Sequence, residues 1–428
     1  MILIKNGYVI DPKSRKEEIR DILIDKENQR IVQIGKNLMD TLEKKPEKII
    51  HADGLIVAPG LVDVHVHFRD PGFTYKEDIE SGVRAAAAGG FTSVVLMANT
   101  KPAVDNEETL AYVLGKGANT DIHVYSCATI TKGMQGQELT EMKELFTKGA
   151  VGFTDDGVPI MDVDLVRAAM EKAKELQVPL SFHEENPAFI TNNGVNAGAA
   201  SRHFGIEGSP REAEIDLVKR DLELAIETGV DINIQHISTA EAVELVREAK
   251  KRSSHIHAEA TPHHFSLTEE AVITYGTLAK MNPPLRTEAD REAIIEGLGD
   301  GTIDLIATDH APHSMQEKAK PITEAPSGII GLETALSLGI TNLVSQNKLT
   351  LMELLAKMTC NPADLYHLPA GELTVGGPAD MVIFAEKESR EIKRFESKSS
   401  NSPFVGEKLQ GVVIYTICKG EIVYDNRR

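Results

Sequence analysis

The chain has 428 residues, 41% hydrophobic and 26% charged, with 33 glycines and a formal charge of −19 at pH 7. That length holds two or three average domains, or one barrel-sized domain with something attached, and the composition is that of an ordinary globular protein rather than a disordered one. The acidic balance excludes a generic nucleic-acid or anionic-membrane surface, which would need a basic footprint, so an anionic substrate would have to be met by local cations.

The amino terminus, Met1 to Gly7, reads as a strand and turn and lacks the pattern of a secretion signal. From there to residue 58 short β-like runs alternate with turn signals: Ile2 to Ile4, Tyr8 to Ile10, Ile22 to Ile24, Ile31 to Ile34 and Leu55 to Val57, separated by pairs such as Asn6-Gly7 and Asp11-Pro12. The polar stretch Gly35 to Lys48 reads as a surface excursion.

From Gly60 apolar runs alternate with segments of helical spacing. Eight strands are predicted: Val62 to His67, Ser93 to Ala98, Ile122 to Ala128, Ala150 to Thr154, Leu180 to His183, Ile232 to Ile237, His255 to Ala260 and Ile303 to Thr308. Eight β/α units imply an α/β fold, a closed (β/α)8 TIM barrel, whose chemistry sits where the strands end. Residues 186–210 and 311–328 are longer than ordinary βα loops and suit substrate walls or surface insertions. After a helical stretch to about Cys360, β rhythm returns at Gly371 to Gly377, Met381 to Phe384, Val412 to Thr416 and Glu421 to Tyr424, with a charged, serine-rich link at 386–402. Each terminal β segment is too short to stand alone, so both are expected to join in one small composite β-sandwich domain, 1–58 plus 366–428, beside a barrel spanning 59–365.

The three cysteines, Cys127, Cys360 and Cys418, are far apart, which suggests neither a disulfide framework nor a thiolate metal site and fits a reducing cytoplasm. No run approaches the roughly eighteen apolar residues of a membrane span.

The strand ends gather the chemistry. In the first, alternation puts Asp63, His65 and His67 on one face and Val62, Val64 and Val66 on the other. His-x-His there is a compact grip for zinc, or simply two imidazoles satisfied by hydrogen bonds, and Arg69 beyond it could hold an anion. Further strand ends carry Asn99, Asp155 and Asp156, His183 and Glu184, His236, His263 and His264, and Asp309, His310 and His313. So many potential ligands on one rim favour a metal centre over independently packed histidines. They also exceed what one catalytic zinc needs, so a binuclear site with a carboxylate bridge is inferred. His51, His123, His203, His255, His257 and His367 read as ordinary surface or core residues.

The ordered motifs DVHVHFRDPG, MANT, FTDDG, SFHEEN, QHIST, TPHHFSL, MNPPLR, ATDHAPH and SGIIGLE, with the terminal SPFVGEKLQGVVIYTICKGEIVY, resemble the amidohydrolase superfamily and, within it, the bacterial type I dihydroorotases. The resemblance covers the whole chain. It implies two zinc ions, one on His65, His67 and Asp309 and the other on His183 and His236, with Asp156 as the bridge and Asp155 as the weaker candidate for that role. It implies interconversion of L-dihydroorotate and N-carbamoyl-L-aspartate by a metal-bridging hydroxide, with Asp309 as general base. Arg69, Asn99 and His313 would hold the substrate carboxylate, while Asn282 and the backbone around Pro326 and Gly328 would address the ring amides. His263, His264 and Glu184 would support the ligands. Relatives such as hydantoinases and allantoinases bridge their metals with a carboxylated lysine, which this chain lacks between Val151 and Gly157. Ala98 and FRDP depart mildly from the family's usual proline and LREP. A homodimer and association with aspartate transcarbamoylase, whether as an active partner or as a silent scaffold, are the assemblies the family suggests; the full ligand set disfavours the silent one.

Overall fold

The computed structural model describes residues 1–42 and 44–427. Five strands open the chain: β1 (Ile2–Asp11), β2 (Lys16–Asp25), β3 (Arg30–Gly35), β4 (Lys48–His51) and β5 (Ile56–Pro59). β1 is one strand where two runs and a turn were expected. Asn6 takes a left-handed φ of 60° and the register with β2 slips between Ile4 and Gly7, so the Asn-Gly pair makes a bulge inside the strand. β4 was not foreseen; it begins at the end of the polar excursion and pairs parallel with β1, from Ile2 opposite Lys48. Residue 43 of that excursion lies outside the described residues.

Seven strands follow in the middle of the chain: β6 (Leu61–Val66), β7 (Phe91–Leu96), β8 (His123–Ser126), β9 (Leu180–Phe182), β10 (Ile232–Ile234), β11 (Ile256–Ala260) and β12 (Leu305–Ile306). They pair in parallel as two arcs, β6 to β8 and β9 to β12. Phe153 bridges the arcs, pairing with Ala128 on one side and Leu180 on the other, and Val66 pairs with His310 at the second seam. The ring therefore closes as an α/β barrel with eight staves, the fourth reduced to the bridge at Phe153. Gly149 and Gly152 lie in that segment, and glycine weakens a strand. Amphipathic helices cover the barrel. Ile79–Gly89, for example, starts at an Asp78 capping box and ends at Gly90 in the left-handed region.

Three strands close the chain: β13 (Met381–Glu391), β14 (Lys408–Cys418) and β15 (Glu421–Asp425). β13 pairs antiparallel with β5, from Met381 opposite Pro59 to Phe384 opposite Ile56, and so knits the termini into one sheet ordered β15-β14-β13-β5-β1-β2-β3, with β4 beside β1. Its core includes Ile4, Ile24, Val57, Met381 and Ile417. Two readings are corrected here. Residues 371–377 form no strand and only exchange backbone hydrogen bonds with Ile31. Residues 386–391, read as a link, continue β13 past a bulge, because their exposed charged side chains still leave the backbone free to pair with Lys408 to Gln410.

The alternation read for β6 is also incomplete. Val62 and Val64 pack with Leu305 and Tyr366, whereas Val66 joins Phe68 and Ile79 in the main core. The register with β7 slips between Asp63 and Val66, which divides the three valines.

Candidate metal centre and substrate site

The ends of the barrel strands bring His65, His67, Asp156, His183, His236 and Asp309 together, all buried. His67 Nε2 lies 2.9 Å from Asp309 Oδ1, and His65 Nε2 lies 3.5 Å from the same oxygen. Asp156 sits between two pairs of imidazoles. Its Oδ2 is 3.5 Å from His67 Nε2, and its Oδ1 is 3.6 Å from His65 Nε2, 3.7 Å from His183 Nδ1 and 3.9 Å from His236 Nε2. His183 Nδ1 and His236 Nε2 are 2.9 Å apart.

His67–Asp309 and His183–His236 are at hydrogen-bond distance, but the other five spacings, 3.5 to 3.9 Å, are those of ligand atoms around a cation. His65 Nε2 is buried with no hydrogen-bond partner, yet it faces two carboxylate oxygens. A separation of about 3.4 Å is the edge of a tetrahedron whose metal–ligand bonds are about 2.1 Å. Two overlapping donor sets have their ligand atoms within 4.8 Å of one another: His65, His67 and Asp309, and His65, Asp156 and His236. A third such set, His123, Asp380 and Cys418, is internally satisfied. There His123 Nε2 meets Asp380 Oδ2 at 2.9 Å and Lys419 N donates to Asp380 Oδ1 at 2.8 Å, so it clasps the sheet to the barrel.

The two adjacent aspartates have different surroundings. Asp155 turns away from the imidazoles, accepting at Oδ1 from the backbone N–H groups of Ile130 (2.8 Å) and Thr131 (3.1 Å) and at Oδ2 from the Thr131 hydroxyl. Burial pushes its pKa up to about 6 against those hydrogen bonds. Asp156 is also buried, but the imidazoles of His183, His65 and His67 close around it outweigh burial and hold its carboxyl well below the usual range. Burial works against charge on His65, yet Glu259, Asp309 and Asp156 raise its pKa well above normal. His236, lacking such a surplus of anions, is driven down by burial and by the charges of His183 and His65.

Three residues of the site carry backbone strain. Arg69, His236 and Asp309 take φ values of 58°, 34° and 45°, a region costly for residues with side chains and one that persists where surrounding structure enforces it. At Asp309 the enforcement is visible, since the buried Asp63 carboxylate accepts from the Thr308 N–H at 3.2 Å.

The residues read as substrate contacts line the same rim, with differences. Arg69 donates from Nε to the Pro312 carbonyl at 3.3 Å and lies 3.5 Å from His313 Nε2. Lys76 Nζ is 3.2 Å from His313 Nδ1. Burial, reinforced by Arg69 and Lys76, lowers the His313 pKa and keeps the ring neutral. Asn282 has a buried Oδ1 without a partner, open to a donor. Asn99 is engaged within the centre itself: Oδ1 meets His67 Nδ1 at 2.9 Å and Nδ2 donates to Asp156 Oδ2 at 2.9 Å. The backbone at Pro326 and Gly328 is likewise committed, with both carbonyls accepting from Lys318 Nζ at 2.9 and 3.0 Å and Gly328 N donating to Lys280 O. A side chain at Gly328, where φ is 152°, would meet the His313 ring at 2.6 Å.

Several supporting residues escaped the sequence reading. Glu185, two residues after His183, meets its Nε2 at 3.0 Å, whereas Glu184 lies among Asp221 and Arg220 instead. Strand alternation alone would have favoured Glu185. His264, which the sequence does mark as a supporting residue, holds the Pro283 carbonyl with Nε2 at 3.0 Å, beside Asn282. Asn401 reaches in from the terminal segment to accept from His313 N at 3.0 Å, a contact for which spacing gives no signal.

A closed barrel with imidazoles and carboxylates on its strand-end rim defines a class. The model of the amidohydrolase family matches residues 56–423, and the chain belongs to that family. Within it the similarity is more particular. A Clostridioides difficile (strain 630) protein named dihydroorotase is 58% identical over 425 residues, covering 99% of this chain and 100% of that one. A dihydroorotase of Clostridium acetobutylicum is 52% identical over 431 residues, with 100% of both covered. The fold matches an L-hydantoinase (dihydropyrimidinase) from Arthrobacter aurescens with a TM-score of 0.88 at 23% identity, covering 100% of this chain and 96% of that one. That likeness concerns the fold alone.

Proposed function

We propose that this chain is a dihydroorotase, a hydrolase of cyclic amides that interconverts L-dihydroorotate and N-carbamoyl-L-aspartate, with two zinc ions in the rim site. The observation that carries the reading is the division of Asp156, one oxygen toward His67 and the other toward His65, His183 and His236. His65, His67 and Asp309 would hold one metal, His183 and His236 the other, with Asp156 shared. Metals there supply Lewis acidity and lower the pKa of nearby water.

The chain's own groups do the rest. Arg69, on the rim beside His313, grips the substrate carboxylate, aided by the Nε2–H that His313 carries when Lys76 donates to its Nδ1. Asn282 Oδ1 accepts from a ring N–H. Asp309 takes the proton released as water adds to the ring amide carbonyl and returns it to the leaving nitrogen. The C–O bond forms as water adds, and the C–N bond breaks as the nitrogen takes that proton, leaving the NH2 end of the carbamoyl group and a new carboxyl group, which loses its own proton to solvent as the second carboxylate. Asn99 steadies His67 and Asp156 during this exchange.

A hydantoinase or allantoinase reading is disfavoured by the strand-4 segment, which has aspartates and no lysine between Val151 and Gly157. In this proposal residues 59–365 are the catalytic barrel and 1–58 with 366–428 its supporting β-domain. The enzyme works in the cytoplasm as a homodimer, with association with aspartate transcarbamoylase as a further assembly. Among the described residues no helix is long and apolar enough to cross a membrane. The test is a substrate panel on metal-analysed protein. About two metals per chain with hydrolysis of dihydroorotate, and not of hydantoin or allantoin, supports the reading, and hydantoin as the best substrate overturns it.

A further inference from the structure

Glu259 near the end of β11 is wholly buried, and each of its oxygens is committed. Oε1 lies 2.5 Å from His65 Nδ1 and accepts from the backbone N–H of His236 at 3.2 Å. Oε2 accepts from Asn233 Nδ2 at 2.9 Å. Asn233, on β10, is braced in turn. Its Nδ2 lies 3.4 Å from Ser181 Oγ on β9, which is 2.5 Å from the Tyr366 hydroxyl. A column of polar groups thus runs through the barrel interior and ends on the carboxylate.

What Glu259 touches gives this column a purpose. A hydrogen on His65 Nδ1, directed at Oε1, leaves the Nε2 lone pair facing Asp309 Oδ1 and Asp156 Oδ1 at 3.5 and 3.6 Å. Such an array of lone pairs repels itself unless a cation sits among them, a proton in the metal-free protein or a metal in the loaded one. The second contact of Oε1 is to the backbone of a residue whose φ is 34°, so the same oxygen helps to hold His236 in its strained turn.

We propose that Glu259 is a positioning residue for the metal centre, one oxygen fixing the imidazole tautomer of a ligand of one metal and the backbone turn of a ligand of the other. The inference rests on the reading that His65 and His236 hold metals. By its contacts Glu259 reaches substrate only through those ligands. Its sequence position, 194 residues from His65, gives no hint of the pairing.

The test uses the full-length protein stripped of metal, comparing wild type with Glu259→Gln, Asn233→Ala and His65→Ala. Zinc affinity is read by competition with a chromophoric chelator, the ligand field by the visible spectrum of the cobalt-loaded protein, and folding by thermal unfolding of the metal-free form. Glu259→Gln keeps size and shape but gives up one of the two acceptor oxygens, so unfolding of the metal-free form separates a loss of stability from a loss of metal binding. The proposal expects zinc binding weaker by about 10- to 100-fold and an altered cobalt spectrum, while the metal-free protein still unfolds cooperatively. Asn233→Ala, which leaves the carboxylate but removes the donor that orients it, should give a smaller loss in the same direction, and it decides the matter if Glu259→Gln does not fold. Wild-type affinity and spectrum in both variants, with binding lost in His65→Ala, would overturn the role of Glu259 alone. Wild-type affinity in His65→Ala would overturn the metal reading beneath it.

Discussion

Replacing Asp155 and Asp156 in turn separates two neighbours with different duties. Asp155→Ala removes the acceptor for two backbone N–H groups and one hydroxyl, all in a buried loop. An orphaned buried donor costs about 1–3 kcal/mol, so the loss of stability should reach roughly 3–5 kcal/mol, a large share of a typical 5–15 kcal/mol. Asp155→Asn keeps Oδ1, which serves both backbone groups, and should cost only about 1 kcal/mol. Asp156→Asn disturbs none of those hydrogen bonds but removes the negative charge that faces four imidazoles. It should therefore deplete bound metal and turnover while changing the stability of the metal-free protein less than Asp155→Ala does. Urea unfolding of metal-free samples, metal analysis and turnover of dihydroorotate on the same preparations measure all three. An Asp155→Ala protein that loses metal at unchanged stability, or an Asp156→Asn protein with full metal and turnover, would refute the reasoning.

Asp309→Asn should lower turnover by about 10²- to 10⁴-fold with metal still largely bound, since it removes the proton acceptor while keeping an oxygen ligand; a wild-type rate would exclude that role. Arg69→Lys replaces a planar fork with a point charge, so KM for dihydroorotate should rise by about tenfold or more, with kcat affected less. Lys318 is the pH-sensitive case: burial, reinforced by Lys280, lowers its pKa from 10.5 to about 7. The unfolded chain therefore binds this proton more tightly than the folded one, and the group weakens the fold most below pH 7 and progressively less as pH rises toward 10.5. Wild type should gain on Lys318→Met by up to roughly 3 kcal/mol between pH 7 and pH 10 in urea unfolding, and a flat difference would contradict the assignment.

The parts legible in the sequence were those set by local periodicity. Apolar runs alternating with helical segments gave the barrel, and the strand ends gave the rim that carries His65, His183, His236 and Asp309. What escaped was fixed by geometry that spacing does not encode. The fourth stave is a single bridge at Phe153, so nothing periodic distinguishes Asp155 from Asp156. The left-handed backbone at His236 and Asp309 breaks alternation where the ligands sit. The amide of Asn99 turned out to serve His67 and Asp156, because it lies within reach of both across 32 and 57 residues of chain. Lys318, Asn401 and Glu259 support the site through contacts that only the folded chain creates.

The central claim is that cyclic-amide hydrolysis depends on metal held by this rim. It is tested most directly by titrating metal-free protein with zinc while following bound metal and dihydroorotate turnover together. Activity that climbs with zinc and levels off near two per chain in the wild type, and fails to appear in His65→Ala, is the predicted result. Full turnover before zinc is added, or an unchanged titration in His65→Ala, would contradict the account.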